Sequence, residues 1–246
     1  MLALTLGVLL ATSPASVPRL KAGSAEPQEW VTLHVAGLAV PPRPEAGLFL
    51  YGKLSTSARP LRALLLRSKD GGAHWSEVLP EEENCEVLFL TFLGCEGRAL
   101  VGWSTEGPGE LTLYTSKDCG ATWARRGKLP KAVWSEWPDT WSWTSGQDGT
   151  VWLQDVNGED SAPVTALTTR DGGRSWKSAT EPLPPSQAAP APSPYEAVDA
   201  RGTRWKLTQD EQTVRLERQE AGAPSQVRAE LPANWERKGS RLVPKR

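Results

Sequence analysis

Apolar residues in this chain fall in short runs, or alternate with polar ones, and nowhere take the i, i+3, i+4 spacing of an amphipathic helix. Runs of four to ten residues, separated by Gly, Pro, Asn and Asp, are the pattern of strands joined by tight turns. They group into four units. The first predicts strands at Val31–Val40, Gly47–Leu54, Arg62–Arg67 and Trp75–Leu79. The second predicts Val87–Leu93, Arg98–Ser104, Leu111–Thr115 and Trp123–Lys128, and the third Thr140–Thr144, Thr150–Gln154, Val164–Thr168 and Trp176–Ala179. The fourth predicts Tyr195–Asp199, Thr203–Thr208, Thr213–Glu217 and Gln226–Glu230.

The units are copies of one another. Gly47, Gly97, Gly149 and Gly202 open equivalent second strands at spacings of 50, 52 and 53 residues. After each third strand comes a box of the form [Ser/Thr]-x-Asp-x-Gly-x-x-Trp. It reads Ser68-Lys69-Asp70-Gly71-Gly72-Ala73-His74-Trp75 in the first unit. The second has Ser116-Lys117-Asp118-Cys119-Gly120-Ala121-Thr122-Trp123, and the third Thr169-Arg170-Asp171-Gly172-Gly173-Arg174-Ser175-Trp176. The fourth copy, Arg218 to Ser225, keeps an acid at Glu220 and a glycine at Gly222 but has lost the tryptophan. Four antiparallel strands on a period near 50 predict an all-β fold, a β-propeller of four blades over residues 30–231. Residues 1–25 are expected to be a signal peptide and leader, residues 232–246 a solvated C-terminal tail, and 179–194 a loop rich in Pro, Ala and Ser.

The box has a physical logic as a hairpin turn. An Asp carboxylate only accepts hydrogen bonds and can cap the N–H groups of its own turn. The glycine two residues on supplies φ > 0, and the closing tryptophan covers the hairpin. Asp70, Gly72, Trp75, Asp118, Gly120, Trp123, Asp171, Gly173 and Trp176 are therefore assigned to turn architecture, because a thrice-repeated acid suits a repeated turn better than one active site. The pattern resembles the Asp-box, or BNR, repeat of sialidases, sortilin-type receptors, photosystem II assembly-factor-like proteins and many secreted bacterial proteins. That resemblance implies a propeller with its boxes on the blade periphery, away from any ligand site.

Composition adds a compartment and removes several functions. The apolar run Met1 to Ala11, followed by small residues at Ser13 and Ala15, has the length of a signal-peptide core and is too short to span a bilayer. The expected location is secreted or periplasmic, with no integral membrane segment after cleavage. A net charge of −1 gives no field for nucleic acid. His34 and His74 lack ligand-type spacing to each other or to the three cysteines, so neither a metal site nor a cofactor is expected. Three cysteines leave one unpaired. Cys85 and Cys95 bracket a strand and would lie about 30 Å apart at ~3.3 Å per residue, whereas Cys95 and Cys119 fall in turns on one side of blade two.

The resemblance to sialidases implies three arginines, a tyrosine nucleophile paired with Glu, and an acid. The Arg-Ile-Pro signature is absent, and Tyr51, Tyr114 and Tyr195 have no motif beside them that marks a nucleophile. The chain is accordingly expected not to be an enzyme but a binding or scaffold module for a protein or glycan, with a homodimer as one assembly and a degenerate glycoside hydrolase as the alternative. Its 12 Trp against 3 Phe and 3 Tyr point to a place for the ligand. Trp103, Trp141, Trp143, Trp152 and Trp205 alternate within strands and are expected in the core. Trp134 and Trp137 fall before Pro138 in what reads as a loop, and are the expected ligand-binding residues.

Overall fold

A computed structural model describes residues 16–22, 29–43, 46–103, 110–130, 136–155, 165–179 and 193–245. The described residues form eighteen strands and no α-helix. Blade one holds β1 (Trp30–Ala39), β2 (Leu48–Ser55), β3 (Pro60–Ser68) and β4 (Ser76–Glu77). Blade two is β5 (Cys85–Leu93), β6 (Glu96–Trp103), β7 (Thr112–Ser116) and β8 (Ala124–Lys128). Blade three is β9 (Glu136–Trp143), β10 (Gly149–Asp155), β11 (Thr165–Thr169) and β12 (Lys177–Ala179). Blade four is β13 (Glu196–Val198), β14 (Arg204–Gln209), β15 (Thr213–Gln219) and β16 (Gln226–Pro232). Each is an antiparallel meander in chain order, the build of a propeller blade.

Two strands lie beyond the four units. β17 (Asn234–Lys238) pairs with β18 (Arg241–Pro244) and, through Val31 opposite Trp235, with the free edge of β1, making that sheet six-stranded. The tail expected at 232–246 is thus a hairpin. Its anchor is Trp235, which is fully buried and lies between Asn234 and Glu236 in sequence. The segment is too short to show as a blade but complete enough to cover an edge that would otherwise expose unpaired N–H and C=O groups. Residues 16–22, expected within the leader, belong to the same body. Leu20 and Ala22 are buried, and Leu242 N donates to Leu20 O at 3.0 Å. The apolar run 1–11, the proposed cleavage point at Ala15, and residues 180–192 of the interblade loop lie outside the described residues.

Three hydrophobic clusters give the spatial order of the blades. The first joins Leu48, Leu50, Leu64 and Leu66 of blade one to Leu207, Val214, Leu216 and Leu231 of blade four. The second joins the opposite face of blade one (Phe49, Tyr51, Ala63, Leu65) to Val87, Ala99, Val101 and Tyr114 of blade two. The third joins Leu100, Leu111 and Leu113 of blade two to Trp143, Val151, Leu153 and Trp176 of blade three. The order is four, one, two, three. Blade one is covered on both faces, so β3 is buried at every position, and its sequence is an apolar run rather than an alternation. Blade four is covered on one face. β14 alternates exposed Arg204, Lys206 and Thr208 with buried Trp205 and Leu207. Among the described residues no cluster joins blade three to blade four.

Each box hairpin touches the blade before it in this order. A Cβ added at Gly72 would meet Leu216 Cδ2 and Ala229 Cβ of blade four at 3.2 Å. At Gly120 it would meet Phe49 of blade one at 2.3 Å, and at Gly173 Leu113 of blade two at 2.1 Å. Only a hydrogen fits at the last two, and all three glycines have φ between +77 and +96. Gly222 in the degraded fourth box keeps φ +75 but has nothing within 4 Å.

Blade two carries an extra clamp. Cys119 takes a left-handed conformation (φ +55) where the other boxes have Gly71 and Gly172, and its N–H donates to Cys95 O at 3.0 Å. The two side chains form a disulfide, and Cys85 remains a buried free thiol.

Two outcomes are expected in urea denaturation. Gly120→Ala should lose about 2–4 kcal/mol, combining backbone strain with overpacking, whereas Gly222→Ala should lose only the ~1–2 kcal/mol strain component; equal losses would contradict the contact role. Reducing the Cys95–Cys119 bond, which closes a 24-residue separation, should lower stability by about 3 kcal/mol, read as a shift in midpoint with and without reductant.

Candidate functional site

The three boxes share one hydrogen-bond pattern. The hydroxyls of Ser68, Ser116 and Thr169 accept the N–H of Gly72, Gly120 and Gly173 at 2.8, 2.8 and 2.9 Å. The same hydroxyls donate to Oδ1 of Asp70, Asp118 and Asp171 at 2.8–2.9 Å. That oxygen also accepts the N–H of His74, Thr122 and Ser175 at 2.9, 2.9 and 3.0 Å. The second oxygen takes the side chain of the same residue, His74 Nδ1 at 2.5 Å, Thr122 Oγ1 at 2.7 Å and Ser175 Oγ at 2.6 Å. A position that looks variable in sequence therefore always supplies a partner. The hydroxyl of Thr122, followed by its backbone N–H, pulls the Asp118 pKa down to about 2, and Asp171 is lowered in the same way through Ser175. Carboxylates so committed to their own turns have little capacity left for a ligand. The indole N–H expected to need a partner finds one in blade two, where Trp123 donates to Gly120 O at 3.2 Å; those of Trp75 and Trp176 have none among the described residues.

The residues singled out for ligand binding separate. Trp134 lies outside the described residues. Trp137 is not in a loop: β9 begins at Glu136, continues through Pro138, and places Trp137 opposite Gln154. Pro138 made the segment read as a loop, and it is accommodated at a register shift between Trp152 and Leu153 of the partner strand. Trp141 stacks on Phe89 at 5.6 Å and meets Trp143 edge-on at 6.1 Å, which puts both at the interface of blades two and three. Trp152 and Trp205 are buried.

The tyrosines also separate. Tyr51 and Tyr114 are buried in the second cluster, Tyr114 donating to Glu82, and burial pushes the Tyr51 hydroxyl up to about 12. Tyr195 is exposed beside blade four. Arg98, Arg126 and Arg174 do converge, on a cleft of about 330 Å³ between blades two and three, with no tyrosine in its lining. Sequence reasoning missed this convergence because the three arginines are 28 and 48 residues apart in sequence, two on β6 and β8 of blade two and one in the box of blade three.

A groove of about 710 Å³ runs along blade four. Glu196, Arg204, Lys206 and Glu217 line it with Val198 and Gln219, and Trp205 and Ala197 contribute apolar surface. Val198 is 61% exposed and Val227 40%, both on the face that no other blade covers. Two acids and two bases alternate across neighbouring strands.

No protein-family model matches the sequence. The search of curated proteins gives no match. Among solved structures, the chain is similar to YCF48 bound to D1 peptide, with 16% identity and TM-score 0.38, over 89% of this chain and 59% of that one. It is also similar to an α-L-arabinanase from Penicillium chrysogenum complexed with arabinobiose, with 15% identity and TM-score 0.44, over 87% of this chain and 72% of that one. A third is the GH74 xyloglucanase from Xanthomonas campestris, with 22% identity and TM-score 0.39, over 80% of this chain and 30% of that one. The chain thus spans three fifths or less of the YCF48 and xyloglucanase chains. The expectation that it is not an enzyme is corrected by these neighbours, two of which are enzymes.

The capped carboxylates carry a pH signature. Their folded pKa values lie below the unfolded value of about 3.9, so the stability they supply is complete above pH ~4 and is lost as pH falls toward 2. Thermal melts between pH 5 and 2 should therefore show a steep drop for the native chain and a shallower one for Asp118→Asn.

Proposed function

We propose that this chain is an exported binding module that presents the open face of blade four to a protein or glycan partner. The observation that carries this reading is the groove of about 710 Å³ on a blade face that a closed ring would bury. Its lining suits either partner. Arg204, Lys206, Glu196 and Glu217 offer charged donors and acceptors, and the exposed Val198 offers apolar surface for the face of a sugar ring or an apolar side chain. The Cys95–Cys119 disulfide supports an oxidising compartment, as does the apolar run at the N-terminus. Trp134 and Trp137 remain proposed contact residues.

The test is a glycan array together with capture from an envelope fraction, repeated with Arg204→Glu/Lys206→Glu and with Val198→Asp. All three positions are solvent-exposed, so the fold should survive. A retained ligand should bind at least roughly tenfold more weakly to both variants. A ligand indifferent to both, yet lost on Trp134→Ala/Trp137→Ala, would move the site to blade three; one indifferent to all would overturn the reading.

A further inference from the structure

The cleft between blades two and three differs from the blade-four groove in its charge. Arg98, Lys117, Arg126 and Arg174 line it, and Glu96 is its one acid. The groove of blade four balances two bases with two acids.

The arginines are held in place. Arg98 is buried, with its guanidinium over the Trp143 ring at 4.4 Å, and its Nη2 donates to Gly146 O at 2.8 Å and to Glu96 at 3.1 Å. Its Nε and Nη1 have no partner among the described residues. Arg126 donates from Nε to Gly172 O and from Nη2 to Asp171 O, both at 3.2 Å. Neutral carbonyls and an indole orient these groups, and the one carboxylate in the lining, Glu96, pairs with Arg98 alone, so the four bases outnumber the acid. Burial lowers the Arg98 pKa, Glu96 opposes that, and Arg126 adds to it. Thr115, Ser116 and Gln147 add polar groups to the lining. Close backbone approach walls the cleft, since a Cβ at Gly172 would meet Gly146 O at 3.0 Å.

We propose that this cleft binds an oxyanion, the phosphate, sulfate or carboxylate group of a small ligand. Planar guanidiniums recognise such groups through paired N–H donors, and a volume of about 330 Å³ admits the group with a small body attached. A bound anion takes the place that Glu96 now fills alone. This holds independently of the blade-four groove.

The experiment is an NMR titration of the full chain with inorganic phosphate, sulfate and glucuronate, following the amides of Gly97, Gly146, Gln147 and Gly172. Saturable shifts confined to these amides are expected with at least one anion. Lys117→Gln/Arg174→Gln, at exposed positions, should weaken binding roughly tenfold. Glu96→Gln should tighten it by removing the competing carboxylate, a gain that misfolding cannot produce. Arg204→Glu/Lys206→Glu on blade four should leave it unchanged, which separates this site from the groove. Preference for glucuronate would point to an acidic sugar, and preference for phosphate or sulfate to their esters. Shifts that never saturate with any of the three, or that ignore both cleft variants, would overturn the proposal.

Discussion

The contact on which the architecture rests is the approach of one glycine in each box to the adjacent blade. Gly72 meets Leu216 and Ala229, Gly120 meets Phe49, and Gly173 meets Leu113. The carboxylate, hydroxyl and positive-φ pair of each box hold the hairpin in the one shape that presents this glycine. Three working boxes make three interfaces. The fourth hairpin keeps its turn, with Ala223 N donating to Glu220 O at 3.0 Å, but its glycine touches nothing. The fourth copy keeps the turn and has lost the contact, so the turn chemistry and the interblade contact are separable.

Much of this was legible in sequence. The four units, their strand order and the glycines of the boxes follow from period and turn chemistry, because both are local. The blade order was also present without being readable. The continuous burial of β3 around the apolar run 63–66 in blade one and the Arg204-Trp205-Lys206-Leu207 alternation in blade four distinguish a sheet covered twice from one covered once. That distinction gains meaning only when the neighbours are known. The hairpin at 234–244 escaped for a different reason. Its one large apolar anchor, Trp235, sits among charges, and its partner is β1, about 200 positions earlier in the sequence.

The site was less legible than the fold. A tryptophan-rich segment stands out by composition, yet Trp141 and Trp143 serve the interface of blades two and three, where Trp143 also supports Arg98. The cationic cleft has no sequence signature. Its residues come from β6, β7 and β8, from the β9–β10 turn and from the second and third boxes, and each base is unremarkable beside its chain neighbours. The cleft and the blade-four groove arise from opposite circumstances. One lies where two blades meet closely, the other where a blade has no neighbour.

The six-stranded sheet gives the order of assembly a constraint. Blade one stands in the middle of the stack, and its first strand is paired to β17, which follows every other blade in the chain. During synthesis the central sheet must wait, with the edge of β1 unpaired, until residues 234–238 have emerged. Blades two and three can already dock through local contacts. Completion of the molecule is then a late event of high sequence separation, and the interval before it is when the exposed edge of β1 is most open to pairing with another chain.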